Sequence, residues 1–92
     1  MIVRISTEDQ YRLPDADAER LNELDNQAVA AVEADDEDRF HEVFEDMLNI
    51  VRTDGQKLGD DELEESDVIL PPPDLSFSEA HLEFSGDGLI PD

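Results

Sequence analysis

The spacing of apolar residues changes along this chain, and each change marks an element. MIVRIS, residues 1–6, alternates with the period of a strand: Met1, Val3 and Ile5 share one face, Ile2 and Arg4 the other. TEDQ follows as a polar turn, and QYRL, residues 10–13, reads as a second short strand with Tyr11 and Leu13 on one face. A lone two-stranded ribbon is marginal in water, so this one needs a cover.

After Pro14 the period becomes helical. Asp15 is placed as an N-cap, and Asp17 puts an acid in the first turn, where the helix dipole favours it. Leu21, Leu24, Ala28, Ala31 and Val32 then fall in one narrow sector, while Asn22, Glu23, Asn26 and Glu33 point elsewhere. Because the stripe is mostly alanine in its second half, another element can approach closely. The second helix has the clearest pattern: Phe40, Val43, Phe44, Met47, Leu48 and Val51 follow the i, i+3, i+4, i+7, i+8, i+11 series, with Ile50 on the flank. Thr53-Asp54-Gly55 ends it, with Gly55 expected in the left-handed conformation. Only Ala34 to Glu37 separates the two helices, so they must form an antiparallel hairpin.

The remainder is shorter-grained. QKLGDDELEES, residues 56–66, reads as acidic turn. Val68-Ile69-Leu70 is long enough for one edge strand and is stopped by Pro71-Pro72-Pro73, a stiff polyproline segment. Ser76-Phe77-Ser78-Glu79 is a capping box with Leu75 as its hydrophobic staple. The short helix it opens is expected to present Phe77, Leu82 and Phe84, and Leu89-Ile90-Pro91-Asp92 forms a final apolar tag.

The architecture implied is α+β: a small antiparallel sheet from residues 1–6, 10–13 and 67–70, covered by an αα-hairpin at 15–34 and 37–53, with a short C-terminal helix at 77–84. The expected core is Val3, Ile5, Tyr11, Leu13, Leu21, Leu24, Ala28, Val32, Phe40, Val43, Phe44, Met47 and Val51. At 92 residues this is read as one domain near the lower limit for independent stability. It divides into the ribbon at 1–13, the hairpin at 15–54, and the strand, proline segment, helix and tail at 67–92.

Charge narrows the function. Twenty-seven acids against six bases give a formal charge of −21, and Lys57 is the sole lysine. Nucleic acid and anionic membrane surfaces reward Lys and Arg, so direct binding to either is not expected. The acidic polar faces of the helices argue the same way against an interfacial membrane role. Self-repulsion on this scale suits a salt-rich cytoplasm, because at about 1 M salt the Debye length is only about 3 Å. With no cysteine there is neither a disulfide framework nor a zinc thiolate site. A secretory leader pattern is absent and no apolar run nears the ~20 residues of a membrane span, so a cytoplasmic protein is expected.

A long acidic stretch, EADDEDRFHEVFED, runs from Glu33 to Asp46. Asp38, His41 and Glu45 stand at i, i+3 and i+7, and the sharp reading is a metal-binding protein or metal-dependent enzyme. Yet HEVFE is not H-E-x-x-H, and the calcium loop's spacing and central glycine are missing. The tract is better read as a helix cap plus a wet face, with Glu42, Glu45 and Asp46 off the apolar stripe. Nucleophile-elbow, P-loop and GxGxxG patterns are absent, so no catalytic residue, cofactor or metal is assigned. DVILPPPDL has two readings, an edge strand with a rigid exit or a docking strip on a pre-stiffened backbone. The second makes Val68, Ile69, Leu70 and Pro71, with Leu89 and Ile90 from the tail, the candidate partner-binding residues. For Leu89-Ile90-Pro91, folding back onto the core is the favoured alternative.

Taken in order, MIVRI, QYRL, LNELDN with AVEA, DEDRF, DELEESDVILPPPD and GLIPD resemble the PspA-associated family, PspAA, from end to end. The family's members carry a glycine in the hairpin turn where this chain has Asp35, a departure that bears on turn geometry. The resemblance implies a non-catalytic adaptor of the phage-shock, envelope-stress response. Its partner would be a PspA-like coiled-coil protein, through which it would sit at the membrane periphery. Homodimerisation through the edge of the N-terminal strand stays open, as does a second alternative to the adaptor, an acidic inhibitor that mimics nucleic acid.

Overall fold

The computed structural model describes residues 1–59, 61–84 and 89. β1 (Ile2–Ile5), rich in β-branched residues, lies at the centre of a sheet. On one side it pairs antiparallel with β2 (Gln10–Arg12), in the register Ile2 with Arg12, Val3 with Tyr11 and Arg4 with Gln10. The intervening turn carries Thr7 at φ 69 and is closed by the Glu8 N–H donating to the Ile5 carbonyl at 2.8 Å.

Proline 14 fixes the entry to α1 (Asp15–Glu33). It is the N-cap itself, in extended conformation and without a side-chain cap bond, so Asp15 opens the helix rather than capping it. Proline has no N–H to leave unpaired and its φ is preset, so no side-chain cap is needed, and Asp15 follows in the first turn, where the dipole favours an acid. The helix ends in a Schellman turn: the Asp36 N–H donates to Ala31 at 2.8 Å and the Asp35 N–H to Val32 at 3.0 Å. Asp35 takes the left-handed position at φ 57. Asp36 then doubles as N-cap of α2 (Glu37–Asp54), its carboxylate accepting from the Arg39 N–H at 3.1 Å. One helix is closed and the next opened within a single short link, and the antiparallel hairpin follows.

Gly55, where α2 ends, is not left-handed. It is extended at φ −78 and ψ 147. What demands glycine is close approach: a Cβ there would lie 2.3 Å from the Val51 carbonyl oxygen and 3.0 Å from Tyr11 Cβ. That contact lets the chain turn at once into β3 (Gln56–Lys57), which pairs antiparallel with β2. Both β3 side chains are exposed, so no apolar alternation announces this strand, and residues 56–57 read from sequence as turn.

β4 (Val68–Leu70) docks on the other side of β1 and runs parallel to it, giving the strand order β3-β2-β1-β4. The sheet is therefore mixed, not wholly antiparallel. The hairpin carries the chain across one face of the sheet before β4 is laid down, the kind of long crossover that parallel pairing requires. Because β1 lies between β2 and β4, the N-terminal strand has no free edge for a second copy, and that route to a homodimer is closed.

All but one of the residues expected in the core are buried, Tyr11 being half-buried. The chain's four phenylalanines join them in one cluster, with ring centroids of Phe40 at 5.6 Å from Phe44, 5.9 Å from Phe77 and 5.2 Å from Phe84. α3 (Phe77–Glu83) and its C-cap residue Phe84 deliver the last two of these, and the helix packs on α1. Its capping box is formed, Ser76 and Glu79 each bonding the other's backbone N–H. Leu82, expected to be presented by the helix together with the two phenylalanines, is 81% exposed. Phe77, Ala80 and Phe84 share the inner side at i, i+3 and i+7, which turns Leu82 outward.

Candidate partner-binding surface

Asp38, His41 and Glu45 are all exposed on α2. His41 lies edge-on to Phe40 and 3.8 Å from Glu37, its partner one turn back. Among the described residues no three His, Cys, Asp or Glu side chains gather as metal ligands would. Two clefts stand out. One, of about 410 Å3, lies between the start of β1, the entry to α1 and the end of α2, lined by Met1, Arg12, Leu13, Asp15 and Asp54. The other, of about 300 Å3, lies between α2 and Pro73, with Phe44 and Leu48 below His41, Glu45 and Arg52. Beside the first, the Asp17 carboxyl is raised above its ordinary range, chiefly by loss of hydration and then by a hydrogen bond and like charge from Asp54.

The sheet face turned away from the helices has more character. Register places Ile2, Arg4, Gln10, Arg12 and Ile69 there. Residues 61–67 form a strap over part of it, held by the side-chain amide of Gln10. Its Nε2 donates to the Glu64 carbonyl at 2.6 Å and to Ser66 Oγ at 2.7 Å, while its Oε1 accepts from the Glu64 N–H at 3.1 Å. Asp67 adds a two-point clasp on Ile2: its carboxylate accepts from the Ile2 N–H and its own N–H donates to the Ile2 carbonyl, both at 2.8 Å. Arg12 and Glu64 close an ion pair over the same strand. Gln10 is consequently 2% exposed, with all its polar atoms bonded.

Around this frame the candidate docking residues separate. Val68, Leu70 and Pro71 are buried, whereas Ile69 points outward and is 58% exposed. Leu63 on the strap is exposed too. The tail folds back at Leu89, which packs half-buried against the core. Its N–H donates to both carboxylate oxygens of Asp25 at 3.0 Å. Ile90 lies outside the described residues. Asp25 is fully buried in the middle of α1. Its role was not foreseen from sequence, although the sign was present: an acid four residues after Leu21 and three before Ala28 stands on the apolar face. Gln10 gave no comparable local signal, because its partners lie more than fifty residues away.

The fold and this surface define a small α+β domain in which a helical hairpin covers one face of a mixed sheet and an acidic strap part of the other. Among the described residues no helix is long and apolar enough to cross a membrane. The model of the PspA-associated protein family, PspAA, matches residues 1–92, and the chain belongs to that family. No curated protein and no solved structure matches it.

Proposed function

We propose that the protein is a non-catalytic accessory partner of a PspA-like membrane-stress protein, acting in the envelope stress response from the cytoplasmic side. The observation that carries this reading is the family match over the whole chain, to a family described as PspA-associated. The surface chemistry agrees with it. The acids of α2 are spread along a solvated face, while an apolar side chain, Ile69, is held outward on an edge strand whose exit is stiffened by Pro71-Pro72-Pro73. Docking is assigned to this β4 strip, with Val68, Leu70 and Pro71 anchoring it from the core side and Leu89 bracing the tail.

The acidic coat serves solubility at high salt, where charge repulsion within the chain is screened. Circular dichroism in dilute buffer and in molar KCl tests that part, and a fold indifferent to salt contradicts it. The partnership is tested by co-purifying the tagged protein with the PspA-like protein of its own source cell in molar KCl. Stoichiometric retention is expected, and its absence overturns the reading.

A further inference from the structure

In a chain with 27 acids and six bases, a cation without an acid beside it is unexpected. Arg12 pairs with Glu64, Arg20 with Glu23, Arg39 with Glu42, Arg52 with Glu8 and Lys57 with Asp9. Of the six Arg and Lys side chains, all described, Arg4 alone makes no ion pair or hydrogen bond. It is no loose terminal residue. It stands on the central strand, half-buried, in register with Gln10 on one side and Ile69 on the other. Register partners share a face, so Arg4 and the outward Ile69 are neighbours on the side away from the helices. The strap covers Gln10 and leaves this spot open. Asn22 Oδ1, on α1, is the sole buried side-chain polar atom without a partner among the described residues, so the Arg4 guanidinium is not sealed in.

A guanidinium offers a planar fork of N–H donors that fits a carboxylate at two points. Here the fork is carried on a paired strand, beside an exposed aliphatic side chain, with no internal acid competing for it. We infer that Arg4 and Ile69 form a recognition point for a carboxylate with an apolar neighbour on an amphipathic helix of the partner; this rests on the accessory reading above. The net charge of the protein does not forbid an acidic contact. In molar salt the Debye length is about 3 Å, so repulsion from distant acids is damped while a contact at hydrogen-bond distance persists.

A second copy is the weaker occupant. The exposed apolar side chains on this face, Ile69 and Leu63, fall far short of the roughly 1,200 Å2 that stable specific interfaces bury. A long helix can find the remaining area beyond the patch.

The test measures Kd between the full chain and the purified PspA-like protein in molar KCl, with a thermal melt of each variant. Arg4→Met is expected to weaken binding about tenfold or more, since it strands the partner's carboxylate. It should leave the melting temperature nearly unchanged, because Arg4 has no internal polar partner. Arg4→Lys should recover only part of the loss, lacking the fork. Ile69→Ser, at an exposed position, should weaken binding without unfolding the chain. A photo-crosslinker at position 69 should capture a helix segment with Asp or Glu within one turn of an apolar residue.

Wild-type binding that Arg4→Met leaves intact overturns this inference and spares the accessory reading. A wild-type chain that does not bind defeats both. If Arg4→Met instead turns a dimer into a monomer in light scattering, with partner affinity unmoved, the occupant is a second copy and the inference fails.

Discussion

Replacing Asp35 by glycine tests the hairpin turn, where the backbone and the side chain disagree. At φ 57 the residue is left-handed, a conformation that costs an L side chain about 1–2 kcal/mol, aspartate lying towards the low end. Glycine removes that cost but gives the unfolded chain more freedom, which offsets about 0.4–1 kcal/mol of the gain. The substitution also deletes a negative charge between the C-terminus of α1, where the dipole disfavours it, and the N-terminus of α2, where the dipole favours it, so the two effects oppose each other. The contact it loses, His81 at 3.6 Å, involves an Asp35 side chain that is 83% exposed, so it contributes little. Both Schellman bonds are made by backbone and survive. The balance is a gain of about 0.5 kcal/mol, which for a domain of this size is about 2–4 °C in melting temperature. Circular dichroism melts in molar KCl read it directly. Asp35→Asn should match wild type and Asp35→Ala should fall below it, since alanine keeps the strain without a polar side chain. A glycine variant no more stable than the alanine variant would refute the left-handed turn as the controlling feature.

Three further outcomes follow from the packing. Gly55→Ala drives a Cβ to 2.3 Å from the Val51 carbonyl oxygen and should destabilise by about 2 kcal/mol or more; a neutral result in urea unfolding would show that α2 and β3 do not meet as described. Gln10→Ala strands the Glu64 N–H and should cost about 1–3 kcal/mol, with proteolysis in residues 61–66 accelerating; unchanged cleavage would mean the strap is held by something else. Asp17→Asn removes a carboxyl whose folded-state pKa is raised beside Asp54, so in wild type the cost is fully present above that raised value and is relieved as pH falls through it. The variant should therefore melt higher than wild type at neutral pH, with the gain shrinking to nothing below the ordinary carboxylate range. An equal gain at both pH values would contradict the cause.

Much of this molecule was legible from spacing alone. Both long helices, their buried stripes and the capping box at Ser76 depend on residues within a few positions of one another, where period and side-chain chemistry act directly. The acidic tract is legible for the same reason, since Asp36 and the first turn of α2 use its acids locally. The ribbon of β1 and β2 was legible too, but tertiary structure alone decided where β3 and β4 pair. β3 pairs through its main chain, β4 runs parallel beside β1, and only that register shows Val68 and Leu70 turning in while Ile69 turns out beside Arg4. The burial of Gln10 and Asp25 is of the same kind: each polar side chain is accommodated by groups more than fifty residues away, so their roles exist only once the chain has closed on itself.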